Sequence, residues 1–510
     1  MIRRHPWWIV GLGLIAVSIP LLLWARTRPG YDPFGWLVWG YQTLRLHLDL
    51  GGAPSWKPLP FLFTVPFSLF GHFSLWLWMV TVVWISLAGC VFAGRIAYRL
   101  TDAPPERRWA AFAAGVFAGL AVLGIQDYMH FVLSAQSDPM IVTLCLAAID
   151  CHLSGRHRWA FAFGVLAALG RPEAWPFLGI YTIWAWRAIP SMRWMLYGGI
   201  ALIPLLWFGI PVLSGNPPFV AGNLALKSPR QLHQSKVIGT IDRFTALHYL
   251  PVQLAALVAI GLALLRRSRV VPILAAGAVG WVVIEIAFAL HGWPGVPRYL
   301  FEPAAVMTVL AGVTVGWLLL GVRRIGSAAS RIGSSPPRSW LGASRWAGVG
   351  LVVLLVASLV PGALARARKE RADLHHERDR TTTIARLGDT INRLGGWQHL
   401  RSCGNPATLV EYVSVLAWYT NMDIGYVGYR PRYVLRRHSP AVLLTPLRNG
   451  WAALPAHTAA AHRASCTGVK ASLVFTGRHP GGVIVPGNHV IVPGTHVAVP
   501  RTHVAVPGTT

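Results

Sequence analysis

RTRPGYDPFGWLVWGYQTLRLHLDLGGAPSWKPLPFLFTVPFSLF, residues 26–70, follows the first apolar run of the chain directly. It opens on the acid of Tyr31-Asp32-Pro33, continues through tryptophans and leucines mixed with a few charges, and reaches Trp56-Lys57-Pro58-Leu59-Pro60. It is too polar to cross a bilayer and too apolar to be a free loop. We read it as a segment on the outer membrane surface that presents Asp32 to a lipid-borne substrate.

The composition around it is that of a membrane protein. Of 510 residues, 54% are hydrophobic and 13% charged, with 24 tryptophans, and the mean hydropathy is +0.48. Soluble domains carry about 25% charged residues. The net charge of +28 would point to nucleic acid in a soluble chain. Here Lys and Arg sit in short clusters between apolar runs, as the positive-inside rule requires. No basic helix or aromatic platform for nucleic acid is present, so that class is excluded.

The N-terminus is basic and its apolar run 7–25 has no small-residue cleavage site before Arg26, so it reads as a signal anchor with the N-terminus cytoplasmic. Further apolar runs lie at 74–97, 109–125, 138–149, 159–169, 174–186, 194–213, 250–265, 270–290, 299–322 and 346–364. With the first they make about eleven crossings. The arginine clusters at 95–108, 156–158, 187–193, 266–269 and 323–345 then all fall on one side. The expectation is an α-helical polytopic protein of the plasma membrane with residues 1–365 as its transmembrane domain.

Residues 366–478 change character. Ile384, Leu387, Ile391 and Leu394 are spaced for an amphipathic helix. Residues 408–416 and 441–444 read as short strands, with turns around Gly404-Asn405-Pro406 and Arg448-Asn449-Gly450. This predicts a small extracytoplasmic α/β domain. Cys403 and Cys466 are its two cysteines and suggest one disulfide; two free thiols are the alternative. Cys90, Cys145 and Cys151 read as small apolar residues of the spans. The tail, 479–510, holds four heptads in register (VIVPGNH, VIVPGTH, VAVPRTH, VAVPGTT). Its recurring prolines break regular ladders, so it reads as a disordered tail, with a histidine metal tract as the rival reading.

Ionisable groups at a membrane boundary are costly and point to function. The topology puts Asp32, Lys57, Asp127, His130, Asp138, Arg171, Glu173, Arg298 and Glu302 on the outer side, at one depth. Carboxylates there could take a proton from an acceptor hydroxyl. Cations could grip a lipid phosphate. Transfer of a sugar from a polyprenyl phosphate needs both. No nucleotide-sugar cradle or Gly-rich phosphate loop is visible. Each group also has a structural reading: Asp32 and Asp138 as helix caps, Lys57 as a snorkelling lysine, Arg171 and Glu173 as a mutual pair, and the tryptophans as interface anchors. Trp36 and Trp39 flank Asp32 and are the candidate sugar platforms.

Three elements together resemble the GT-C superfamily of polytopic glycosyltransferases, in particular its protein mannosyltransferase and aminoarabinose transferase branch. The first is Tyr31-Asp32-Pro33 after the first span, with the proline-rich Lys57-Pro58-Leu59-Pro60 run. The second is Gln136-Ser137-Asp138-Pro139-Met140, opening the fourth span. The third is Pro297-Arg298-Tyr299-Leu300-Phe301-Glu302-Pro303, opening a late one. The resemblance covers about residues 1–365 and implies a GT-C-like fold. It implies Asp32 as catalytic base with Asp138 assisting, and Lys57, Arg298, Tyr299 and Arg171 as donor-phosphate ligands. Trp36, Trp39, Glu173, His130 and Glu302 would line the substrate cavity. Two departures matter. Asp32 has no acid two residues away, which leaves a lone base without a metal-binding pair, and Gln136 stands where relatives carry arginine. A divalent metal stays open, without support from a paired-acid motif. The implied partners are a polyprenyl-phosphate sugar donor, membrane lipids and a glycan, lipid or protein acceptor. The rival classes are a flippase of a lipid-linked substrate, which predicts inverted repeats and midplane sites not seen here, and an inactive scaffold.

Overall fold

A computed structural model describes residues 7–52, 56–228, 230–233, 235–321, 338–428, 440–447, 450–456, 473–475, 483–485, 489–492 and 495–498. The chain divides into two compact units. One comprises Met1–Pro29 and Ser55–His376, the other Gly30–Pro54 and Glu377–Thr510.

The first unit is helical. It holds α1 (Trp7–Ala25); α2 (Tyr31–Leu44) belongs to the second unit, and the first resumes with α3 (Pro58–Phe67), α4 (Ser74–Thr101), α5 (Arg108–Leu123), α6 (Tyr128–Leu133) and α7 (Asp138–Leu153). It continues through α8 (His157–Gly170), α9 (Trp175–Ala188), α10 (Arg193–Pro204), α11 (Ile210–Leu213), α12 (Val220–Leu226), α13 (Lys236–Ala246), α14 (Leu250–Leu265), α15 (Val270–His291) and α16 (Phe301–Leu320). The long α17 (Arg338–Arg393) runs on into the second unit.

Each expected crossing coincides with a helix, but six helices are long and apolar enough to span a membrane, or seven if the bent pair α13 and α14 is one span. The helices α5, α7, α8, α9 and α14 have 14 to 16 residues. At 1.5 Å per residue they are about 21–24 Å long, short of a hydrocarbon core of about 30 Å. Among the described residues the count by length is therefore six or seven, not eleven. The chain is a multi-pass membrane protein on these spans.

The centre of the unit is α16. In its span, 78% of the apolar window is buried, against 17% for α1 and for α15. It packs against α4 and α5 through Gly312 and Gly316, and α4 and α5 meet each other through glycines as well. A Cβ on Gly94 would stand 2.8 Å from the Gly115 carbonyl oxygen, and one on Gly312 would stand 2.7 Å from that of Ala114. Close backbone approach of this kind replaces the hydrophobic driving force that lipid cannot supply. A Gly115→Val change is expected to destabilise the bundle by about 1–3 kcal/mol, as overpacking does, read as thermal unfolding in detergent. Unchanged unfolding would show that the helices slide apart freely.

The second unit explains why the first-loop stretch is not one surface segment. Its first half, α2, packs with α19 (Val413–Thr420), which follows α18 (Gly396–Cys403) in the same unit. Phe34 meets Trp418 edge-on at 6.5 Å. Gln42 and His47 both bond Asp423, His47 at 2.9 Å. Gly52, at φ +83°, would place a Cβ 2.8 Å from Gly425. The second half of the stretch, α3, leads into α4 in the first unit.

Residues 408–416 are not a strand as expected. They form a 3-10 turn, Val410–Tyr412, and the start of α19. Val413, Ser414, Val415, Leu416, Ala417 and Thr420 are its buried positions, so the helix is enclosed on nearly all sides. Four strands make a sheet in the order β1 (Asn405–Ala407), β2 (Ala441–Leu447), β3 (Gly450–Ala456), β4 (Leu473–Phe475). The β1–β2 pair is parallel and the others antiparallel. The run expected as a turn at Gly404-Asn405-Pro406 thus leads into β1. Of the turn expected at 448–450, Arg448 and Asn449 lie outside the described residues. Ile384, Leu387, Ile391 and Leu394 are all buried on α17 and the turn that follows it. Cys403 is buried and disulfide-bonded; Cys466, its expected partner, lies outside the described residues. Within the heptad tail, β5 (Val483–Val485), β6 (His489–Val492) and β7 (Thr495–Ala498) pair antiparallel. Their regular pairing differs from the disordered tail expected; Pro486 and Pro493 fall between the strands.

Candidate functional site

Lys57, Asp138, Arg171, Glu173, Arg298 and Glu302 of the first unit each sit beside a proline at a helix boundary. Lys57 precedes Pro58, the first residue of α3. Asp138 opens α7 with Pro139 behind it. Arg171 follows α8 in extended backbone and precedes Pro172. Arg298 and Tyr299 lie in the 3-10 turn Pro297–Leu300, ahead of Glu302 and Pro303 on α16. Proline fits the first helical turn and disfavours helix before it. These prolines therefore start the helices at fixed points and leave the charged residue at the mouth of the bundle.

The structure brings these residues into one ionic cluster. Asp138 is fully buried, yet it meets three cations. Lys57 Nζ lies 3.4 Å from Oδ1, Arg298 Nε lies 3.8 Å from Oδ2, and Arg171 Nη2 donates to Oδ1. Arg171 is the hub. Its Nη1 donates to Glu173 at 3.3 Å, its Nε lies 3.5 Å from Glu302, and its guanidinium stands 4.1 Å over the Tyr299 ring. Trp281 donates to the Tyr299 carbonyl at 3.0 Å and so holds that turn. Burying charges without such pairing would be prohibitive.

Exposure divides the cations. Arg171 is 2% exposed, whereas Lys57 and Arg298 are 12% and 15% exposed. The arrangement thus holds two cations partly open on either side of a buried carboxylate, with a third sealed beneath them.

Glu285, on α15, belongs to the same cluster and was missed from sequence. It is buried, within electrostatic reach of Glu173, Arg171 and Glu302. Its signal was available, since a lone carboxylate inside the apolar run WVVIEIAFAL is itself a functional marker.

Other expected site residues go elsewhere. His130, expected in the substrate cavity, pairs with Asp373 of α17 at 2.7 Å. Phe131 stands edge-on to His130 at 5.1 Å, with the Arg298 guanidinium 5.6 Å from its ring. Asp127 pairs with Lys369 at 2.8 Å. The basic and acidic turns of α17 claim both side chains. Asp32, Trp36 and Trp39 belong to the second unit, on α2. Asp32 is in the first turn of that helix. Trp36 and Trp39 are 1% and 0% exposed, so neither presents an open ring face to a sugar. Residues 33–40 of α2 are buried without a break, and its tryptophans serve packing. Among the described residues no group of three His, Cys, Asp or Glu side chains is placed to hold a metal ion.

No protein-family model and no curated protein matches the sequence. The fold does match solved structures. ArnT from Cupriavidus metallidurans, bound to undecaprenyl phosphate, superposes with a TM-score of 0.51 at 16% identity, over 86% of this chain and 93% of that one. The same protein in its apo state gives 0.49 at 17% identity, over 86% and 92%. The chain has the GT-C fold.

Proposed function

We propose, from the GT-C fold as premise, that this chain is a membrane glycosyltransferase that moves a sugar from a polyprenyl-phosphate donor to an extracytoplasmic acceptor. The observation that carries this reading is the pair Lys57 and Arg298, held on opposite oxygens of buried Asp138 at one end of the bundle. Two fixed cations around a buried carboxylate suit a lipid phosphate, whose charge must be met without water. The similar fold of ArnT, solved with undecaprenyl phosphate, supports that donor class.

In this reading Lys57 and Arg298 bind the donor phosphate. Arg171 is too enclosed by carboxylates to do so and acts as the strut that fixes the others. Asp138, fully buried, orients Lys57 and Arg298 and does not exchange protons with substrate. Asp32 is the base. It takes the acceptor hydroxyl proton, the acceptor oxygen attacks the anomeric carbon, and the bond from that carbon to the phosphate oxygen breaks. The departing polyprenyl phosphate carries the charge that Lys57 and Arg298 stabilise. A single displacement inverts the anomeric centre. The second unit supplies surface for a glycan, lipid or protein acceptor.

The test is transfer by purified protein offered a panel of polyprenyl-phosphate sugars. Lys57→Gln and Arg298→Gln should each raise the donor KM by about 10–100-fold, the worth of one charge-assisted hydrogen bond of about 1.5–3 kcal/mol. Donor KM unchanged in both would remove the phosphate assignment.

A further inference from the structure

The helices that form the ionic cluster also carry a second basic site at their other ends. α7 leaves Asp138 and ends at Leu153, α8 returns to Gly170 beside Arg171, and α9 leaves again from Trp175 to Ala188. The turns at 154–156 and 189–192 are thus one helix length, about 21–24 Å, from the cluster. Together they enclose a concavity of about 420 Å³. Arg156, His157 and Arg158 line it on one side, with Trp159, Ile189 and Met192 as its apolar wall.

Two features define what fits there. The first is charge. None of the lining residues is acidic. The buried carboxylate of this end, Asp150, is already shared by Arg95 and Arg99, at 3.3 Å each. Arg156 and Arg158 make no ion pair among the described residues, and both are exposed. The second is depth. Trp159, Trp184, Trp186 and Trp194 cluster within a few residues of the two turns and are all exposed. Exposed tryptophans at the ends of a membrane protein's helices mark the headgroup level of a bilayer.

We propose that this concavity binds the phosphate of an anionic phospholipid in the leaflet opposite the ionic cluster. Arg156 and Arg158 make charge-assisted bonds to the phosphate. The wall of Trp159, Ile189 and Met192 receives the glycerol and the first acyl carbons. A zwitterionic headgroup fits less well, because its ammonium finds no carboxylate in the lining. The site is independent of the sugar-transfer reading.

The test is native mass spectrometry of the purified full chain released from detergent with phosphatidylglycerol or phosphatidylcholine. The wild-type protein should retain phosphatidylglycerol about tenfold more than phosphatidylcholine. The Arg156→Gln/Arg158→Gln protein should lose that preference while keeping its elution profile. An Arg267→Gln/Arg269→Gln protein, altered in another exposed basic turn, should keep it. Equal retention of the two lipids by wild type, or equal losses in both variants, would overturn the proposal. Displacement of the lipid by millimolar inorganic phosphate would reassign the site to a free anion and overturn the lipid commitment.

Discussion

An Asp32→Asn protein is expected to lose sugar transfer by about 10²–10⁴-fold, the usual worth of a general base, while folding normally. The substitution keeps size and hydrogen-bonding shape and removes only the charge and the basicity. Asp32 lies in the first turn of α2. If its role were structural, the loss would fall on stability, of which its place in the first helical turn accounts for about 0.3–1 kcal/mol. The two readings therefore separate cleanly. A structural role predicts a small drop in unfolding temperature with transfer nearly intact; a base predicts intact folding with transfer abolished. The pH–rate profile adds an independent readout, because its acidic limb should disappear in the variant. Full transfer by Asp32→Asn would remove the mechanism, whatever the donor.

Arg171→Met is the change expected to damage stability most. Arg171 is 2% exposed and meets Asp138, Glu173 and Glu302. Removing it leaves three buried carboxyl groups facing one another with their central partner gone. Loss of one member of a buried ionic network costs about 3–5 kcal/mol. Thermal unfolding in detergent and the recovered monodisperse fraction should both fall sharply. Glu285→Gln is the matched contrast. The cluster counts four carboxyl groups (Asp138, Glu173, Glu285, Glu302) against three cations (Lys57, Arg171, Arg298). Glu285 makes no ion pair with a cation among the described residues, so an amide can take its place. That variant should unfold within about 1 kcal/mol of wild type, the net worth of an ordinary hydrogen bond. If Arg171→Met unfolded like wild type, the cluster would be a surface feature and not a core.

Much of the site was legible because the bilayer makes charge informative. Lys57, Asp138, Arg171, Glu173, Arg298 and Glu302 stand out in apolar surroundings, and the prolines beside them mark helix mouths. That these residues converge follows from alternating helices whose odd and even ends return to one level. Roles were less legible than membership. Arg171 and Lys57 look alike in sequence as isolated cations; only packing shows that one is sealed by carboxylates and the other partly open. His130 looked like a site residue until Asp373, 243 positions away, claimed it. Residues 408–416 read as strand because β-branched and aromatic residues dominate there, yet they form a 3-10 turn and the start of a helix buried on nearly all sides, where burial carries no period to read.

By itself the sequence determined that the chain is a helical membrane protein and which ionisable groups stand at helix mouths. The reason is that transfer of apolar and charged groups between water and hydrocarbon is a local property, summed residue by residue. Only the tertiary structure decided that residues 26–70 are divided between two units, that α16 is the buried axis, that Trp36 and Trp39 are packing residues, and that Glu285 joins the cluster. Those outcomes depend on which side chains meet across long sequence separations, and no local period or composition records such a meeting.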